Sequence, residues 1–345
     1  MHSETAAVRK GEELPVAALA DYLTGKIEGA GHVIEIEQFP GGHSNLTYLL
    51  RAGGREYILR RGPLGPVPPK AHDMARECRV LSAVHPYFPE APKPYHLCED
   101  PNVIGAIFFV MERRRGYVLR DSVPEEIAAL PGYPQRISEA CIDCLARLHA
   151  IDAERDGLVA LGRPEGFVER QVRGWAERWH RAKTEELPAM NRLIAWLERN
   201  LPPSGRPTLV HNDFKLDNVM LRPGLQIEAV LDWEMATAGD PLADLGLALC
   251  YWAWAPAVPS TAVSAMTVQP GWFTRDQLVS RYADKTGRDL KFIGYHEVLG
   301  VFKLAVIIQQ IYYRYHHGQT SDERFRGFGE RAKALVNLAA GMGAT

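Results

Sequence analysis

The chain has 345 residues, 46% of them hydrophobic and 24% charged, and 40 Lys and Arg against 42 Asp and Glu give a formal net charge of −2. This is enough chain for two lobes with a substantial core, and the interspersed charges give no sign of a nucleic-acid partner recognised by charge alone. No apolar run approaches the roughly 20 residues of a membrane helix, the first 14 residues carry no targeting pattern, and the five scattered cysteines suit reduced thiols, so a cytoplasmic protein without a membrane partner is expected.

Residues 14–30 read as a helix with Leu14, Leu19, Tyr22 and Leu23 on one face. Residues 33–39, 47–51 and 56–61 alternate apolar and polar side chains and predict an antiparallel meander. Its first turn contains Gly41, Gly42, Ser44 and Asn45. Small residues there would let backbone N–H groups approach phosphates; a plain hairpin turn is the other reading. A helix over about 73–84 carries Glu77, and strands follow at 95–98 and 104–111. The second strand runs into Met111-Glu112-Arg113-Arg114-Arg115-Gly116, whose arginine side chains are expected to be mostly solvated.

The remainder reads as mainly helical. Residues 133–151 form an amphipathic helix whose Cys141 and Cys144 face inward with its apolar residues, so this C-x-x-C reads as core. His149 at its end reads as structural. Helices at 167–181 and 187–201 should enclose Trp175, Trp179 and Trp196. A short strand at 208–210 and a hairpin of strands 218–221 and 227–231 come next. Asp240 before Pro241 suits a helix start. Residues 256–271, rich in small residues and Pro, suggest a mobile lid. Helices are then expected at 274–286, capped by Thr274, at 295–317, ending before Gly318, and at 321–340.

The chemistry concentrates in His211-Asn212-Asp213-Phe214-Lys215-Leu216-Asp217-Asn218, followed after the hairpin by Leu231-Asp232-Trp233-Glu234. Phosphoryl transfer from ATP needs a carboxylate beside the attacking hydroxyl, and oxygen ligands that hold magnesium on the phosphates. Asp213 suits the first role, and Asn218 and Asp232 the second. The Asp-to-Asn spacing equals that of the kinase loop H-R-D-x-x-x-x-N. A polar turn between two strands is the structural alternative, which the following hairpin and Asp232 disfavour.

These residues resemble the aminoglycoside phosphotransferases and related small-molecule kinases, which share the protein-kinase-like fold. Asn212 stands where protein kinases have Arg, and Trp233-Glu234 where they have Phe-Gly, as in the small-molecule branch. The run from Gly41 to Tyr48 is also similar to that family. Residues 161–171 and 231–245 look most similar to kinase-like domains fused to acyl-CoA dehydrogenases, with no dehydrogenase domain expected in this sequence.

The resemblance implies an α+β, two-lobe fold. A small N-terminal lobe (1–111) would hold a five-stranded antiparallel sheet plus a helix, a hinge would span 112–116, and a larger helical lobe 117–345. It implies ATP and Mg²⁺. Arg60 falls where protein kinases have Lys, as in the choline-kinase branch, with Glu77 as its partner. Arg61 competes for that role, but it lies on the opposite face of the strand, which is expected to meet solvent. The Glu112 carbonyl and Arg114 amide would face the adenine, with Met111 at the back of the pocket. Asp244 would brace the catalytic loop, and Lys215 would offset charge on the transferred group. The acceptor would be a small-molecule hydroxyl, with Tyr312, Tyr313 and His316 as candidates to line its site. A hydroxy-acyl compound fits the fused relatives. An aminoglycoside would want many carboxylates, whereas the region after Pro256 has seven acids. A non-catalytic nucleotide-binding module is the reading from another class, favoured only by Arg60.

Overall fold

In a computed structural model of the chain, residues 5–31, 34–40, 45–63, 73–120, 122–252 and 266–343 are described. Contacts divide it into two units, Met1–Gly116 with Glu228–Glu234, and Tyr117–Ile227 with Met235–Thr345.

The first unit is built on the meander. α1 (Val16–Leu23) precedes β1 (Glu35–Gln38), β2 (Leu46–Ala52) and β3 (Arg55–Arg61); α2 (Met74–Val84), β4 (Pro94–Cys98) and β5 (Phe108–Glu112) follow. The strands form one antiparallel sheet in the order β1-β2-β3-β5-β4. Period-2 side-chain alternation gives the sheet two faces. On one, Tyr48, Leu50, Leu59 and Phe108 pack with Leu19 and Leu23 of α1. Arg61 shares this face at 4% exposure, and its guanidinium donates to the Ile104 carbonyl at 3.0 Å. The expectation of solvent there is corrected: the N-terminal helix covers that face. This helix is shorter than the pattern implied. The Thr24 hydroxyl returns to the Ala20 carbonyl, and Gly25 turns the chain at φ 74°. Likewise β5 begins at Phe108 rather than at Ile104, because Gly105 at φ 80° makes a turn first.

α2 packs against β4 and β5. Asp73 caps it by accepting from the Arg76 N–H at 2.8 Å. The arginines of residues 113–115 are mostly not solvated. Arg114 pairs with Glu112 at 2.8 Å and Glu228 at 3.3 Å, and Arg113 lies over the Phe39 ring; only Arg115 is exposed. Glu228–Glu234, expected in the larger lobe, groups with this unit. Val230 N–H donates to the Glu90 carbonyl at 2.9 Å, and Trp233 packs edge-on against Phe88.

The second unit holds β6 (Tyr117–Val118), α3 (Glu125–Ala128), α4 (Tyr133–His149), α5 (Phe167–Ala182), α6 (Pro188–Arg199), β7 (Thr208–Val210) and β8 (Val219–Leu221). The chain leaves it along β9 (Ile227–Val230) and returns at β10 (Thr237–Gly239), α7 (Pro241–Trp252), α8 (Arg275–Thr286), α9 (Ile293–His316) and α10 (Phe328–Gly343). α9 is the axis, with α5, α7 and α10 packed around it. A Cβ on Gly246 would sit 2.4 Å from the His296 carbonyl, and one on Gly300 2.9 Å from the Gly246 carbonyl. Glycine at both places lets α7 and α9 approach backbone to backbone. Trp175 and Trp179 are buried between α5, α6 and α9, and Cys141 and Cys144 are buried free thiols. Thr274 and Gln277 form a reciprocal capping box at the start of α8. Among the described residues no helix is long and apolar enough to cross a membrane.

Candidate active site

The predicted chemistry falls into two clusters, one in each unit. In the second unit, β7 pairs with β10 and delivers His211. The first turn of α7 presents Asp244, set by Asp240, whose carboxylate accepts from the Leu242 N–H at 2.8 Å ahead of Pro241. Asp244 is fully buried and accepts from the backbone N–H of His211 at 2.6 Å and of Asn212 at 2.8 Å. Its Oδ2 also meets His149 Nε2 at 3.2 Å, and His149 Nδ1 meets the Tyr282 hydroxyl at 2.7 Å. Burial alone would raise the Asp244 carboxyl, but the His149 bond and the two nearby histidines hold it below its ordinary value. His149 is therefore structural, and Asp244 is the brace the resemblance implied.

The braced loop turns sharply. Asn212 has φ 64°, a left-handed conformation that Asn tolerates better than most residues. Its side chain donates to the Met235 carbonyl, and its own carbonyl accepts from Lys303 Nζ, both at 3.1 Å. The turn leaves the Asp213 side chain 21% exposed. Three neighbours hold that carboxylate. Asn218 Nδ2 donates to Oδ2 at 2.8 Å and also to the Asp213 carbonyl at 2.9 Å. Lys215 Nζ lies 2.9 Å from Oδ2, with its ammonium over the Tyr251 ring. Tyr251 hydrogen-bonds Asp213 through its hydroxyl, and burial with the Asp213 charge raises the phenol well above its ordinary pKa, so it stays a donor. Both bonds that Asn218 makes to Asp213 use Nδ2, so Oδ1 is not engaged by Asp213.

In the first unit, Arg60 and Ile58 share the sheet face opposite α1. Arg60 Nη1 meets Glu77 at 2.8 Å, and Nη2 meets Asp232 Oδ1 at 3.4 Å. Burial pulls against the Arg60 charge, but the Glu77, Asp232 and Glu234 carboxylates keep its pKa raised. Burial pushes Glu77 up to about 7 despite Arg60, with Asp232 and Glu234 adding negative charge nearby. A guanidinium at 2.8 Å favours the carboxylate; we read the pair as ionic, with Glu77 the member that takes up a proton first. Asp232 has φ 66°, left-handed like Asn212. Asn45 Nδ2 donates to Glu234 at 3.1 Å, and Arg76 to the Glu234 carbonyl.

Each unit by itself offers groups of the kind that magnesium or phosphate takes. Asn218 Oδ1 and the Asp232 carboxylate, 35% exposed, are hard oxygen ligands of the kind Mg²⁺ takes. Arg60 Nε is buried without a hydrogen-bond partner, a donor matched to phosphate oxygen. Among the described residues no group of three or more His, Cys, Asp or Glu is arranged to hold a metal.

Gly41, Gly42 and Ser44 lie outside the described residues, as does the candidate lid up to residue 265. Met111 is buried on β5, and Glu112 donates its N–H to the Lys93 carbonyl at 2.8 Å. The Arg114 side chain is committed to Glu112, Glu228 and the Pro89 carbonyl. Tyr312, Tyr313 and His316 lie away from the catalytic loop. Tyr312 is nine residues beyond Lys303 on α9, about 13 Å along the axis. Lys303 and Tyr251 were missed by the sequence reading. Lys303 had a signal, a lone charge within the apolar run of residues 298–308. Tyr251 had none.

Residues 35–278 match the family described as "Phosphotransferase enzyme family". Rat acyl-CoA dehydrogenase family member 11 is 34% identical over 93% of this chain, which spans only 42% of that relative's length. A solved structure of a Ralstonia eutropha JMP134 protein assigned as an aminoglycoside phosphotransferase is 28% identical, with TM-score 0.83, over 96% of this chain and 99% of its own. A ternary complex of a thermostable mutant of aminoglycoside phosphotransferase APH(4)-Ia with AMP-PNP and hygromycin B shares the fold. Its TM-score is 0.62 at 16% identity, over 95% of this chain and 99% of its own.

Proposed function

This chain belongs to the phosphotransferase enzyme family and is a small-molecule kinase, and on that premise we propose that it moves the γ-phosphoryl group of ATP, with Mg²⁺, to a hydroxyl of a small acyl compound. The observation that carries the proposal is the Asp213 cluster. A carboxylate beside a left-handed turn, held by Asn218, Lys215 and Tyr251 and braced through the backbone by Asp244, is fixed in direction to receive an acceptor hydroxyl.

Asp213 orients the acceptor hydroxyl and takes its proton as the oxygen attacks the γ-phosphorus. The bond to the β–γ bridging oxygen breaks, and ADP leaves. Asn218 and Asp232 are the residues that would offer oxygen to magnesium, which would supply charge neutralisation on the phosphates. Arg60, kept in place by Glu77, contacts a phosphate through its fork of donors. Lys215 offsets charge on the group in transfer. Asn45 is the described residue of the first turn that would contact a phosphate, and the Glu112 carbonyl and Arg114 amide would face the adenine beside Met111.

The choice of acceptor is supported by the relatives, which are named as acyl-CoA dehydrogenase family members. A polycationic acceptor is disfavoured by where the acids lie. Of the seven after Pro256, Asp276 and Glu297 pair with Arg275, Asp322 with Arg324, Glu323 with Arg326, and Glu330 with Lys333. Few carboxylates are left to match an aminoglycoside.

The test is thermal stabilisation by ATP with and without magnesium, in the wild type and Asp232→Asn, followed by a screen of hydroxylated acyl acceptors. A ligand that binds only the native state raises its melting temperature by mass action. Magnesium-dependent stabilisation, lost in Asp232→Asn, is expected. Absence of stabilisation by any nucleotide would remove the kinase reading.

A further inference from the structure

We infer that Lys303, on the central helix α9, is a positioning residue for phosphoryl transfer: its ammonium grips the peptide that carries Asp213 and so fixes the carboxylate that takes the proton. The inference rests on the kinase reading above.

The geometry is specific. The carbonyl that Lys303 Nζ holds at 3.1 Å belongs to the Asn212–Asp213 peptide. The N–H of that same peptide, contributed by Asp213, donates to His211 Nδ1 at 3.3 Å. The preceding peptide is held by Asp244 through the Asn212 N–H at 2.8 Å. Both sides of the plane that aims Asp213 are therefore tied. They are tied at the residue whose left-handed φ the surroundings must enforce.

A structural role alone does not account for a lysine here. Lys303 is 7% exposed and sits in a helix otherwise apolar at this depth. Among the described residues it makes no ion pair with a carboxylate; the Trp175 ring lies 5.5 Å away instead. Burying an ammonium is costly, and an apolar side chain of the same length would pack at least as well. The groups that face it are Asp213 and Lys215 from the catalytic loop, Asp244 from α7 and Arg178 from α5. Burial pulls its pKa down to about 8, and the two carboxylates limit the fall. The charge that holds the loop is thus lost within an accessible alkaline range.

The experiment measures phosphate release from Mg-ATP with water as acceptor, in the wild type, Lys303→Met and Lys303→Arg, from pH 6 to 10. Lys303→Met should lower kcat by about 10- to 100-fold, the size of effect expected when a reacting group is displaced by about 1 Å, and leave the KM for ATP within about twofold. Lys303→Arg keeps a cation that does not titrate in this range. It should recover most of the rate and remove the wild-type fall in rate above about pH 8. Unchanged kcat in Lys303→Met overturns the role. Should Lys303→Met fail to fold, Lys303→Arg decides: an alkaline limb identical to the wild type overturns the role, and its loss supports it. A wild type that neither releases phosphate nor is stabilised by Mg-ATP removes the kinase reading itself, and the role with it.

Discussion

Two buried carboxylates underlie the two clusters, and burial treats them alike, yet they titrate in opposite directions. Asp244, in the helical unit, receives two backbone N–H groups and faces His149, and its pKa is lowered. Glu77, in the sheet unit, meets Arg60 and the Trp233 backbone N–H, its Oε2 has no hydrogen-bond partner, and its pKa rises to about 7. Desolvation disfavours both anions. What separates them is how many donors converge on the charge, and whether other carboxylates stand close. Asp244 is a fixed anionic brace for backbone geometry. Glu77 is a support whose charge depends on one guanidinium.

The largest expected effect tests whether the loop above Asp244 carries the chemistry while the Arg60 cluster carries phosphate binding. Asp213→Asn should lower turnover by about 10²- to 10⁴-fold, the usual contribution of general base catalysis. Mg-ATP should still raise its melting temperature as in the wild type. An Asp213→Asn protein with wild-type turnover would show that the proton is taken elsewhere.

The next effect separates the two buried acids directly. Asp244→Ala leaves two backbone N–H groups and His149 without their acceptor, and should cost about 3–5 kcal/mol in urea unfolding. Glu77→Gln keeps shape and an acceptor oxygen, and should cost about 1–2 kcal/mol. Their pH signatures should also oppose. Because Glu77 is raised from 4.5 to about 7, the native state holds a proton that the unfolded chain has released across that window. Stability should therefore fall as pH rises from 4.5 to 7, by roughly 1–3 kcal/mol, and Glu77→Gln should flatten that slope. Asp244 is lowered from 3.8, so its contribution is present above 3.8 and lost as the pH falls through its depressed native pKa. Equal cost and equal pH dependence in the two variants would erase the distinction.

Most of the candidate site's geometry was readable because it is local. Asp213, Lys215 and Asn218 sit within six residues, and the 3₁₀ turn at Leu216–Asn218 folds the last of them back onto the first. The first three strands were readable because their apolar and polar side chains alternate, and the five-stranded sheet followed from the resemblance. The parts that were not readable depend on partners distant in the chain. No pattern within residues 56–61 tells that α1 will cover Arg61. The arginines at 113 and 114 look like a solvated run until Phe39, Glu112 and Glu228 are placed around them. Lys303 carried a signal, a charge among apolar neighbours, but its meaning needed Asn212, 91 residues earlier.

The smallest effect asks how finely the Asp213 carboxylate is held. Its three side-chain neighbours are unequal: Lys215 brings charge at 2.9 Å, Asn218 an amide donor at 2.8 Å, and Tyr251 a phenol. Tyr251→Phe removes only the last. A hydrogen bond to a charged group contributes about 1.5–3 kcal/mol when it is removed alone. Two donors remain, so the carboxylate loses mainly orientation. The ring also remains beneath the Lys215 ammonium. Turnover should fall by about three- to tenfold, below the full loss of such a bond, with ATP-dependent stabilisation unchanged. A fall as large as that of Asp213→Asn would mean that the phenol, rather than Lys215 and Asn218, sets the direction in which Asp213 faces its substrate. Wild-type turnover would mean that those two donors and the backbone ties at Asn212 already fix it.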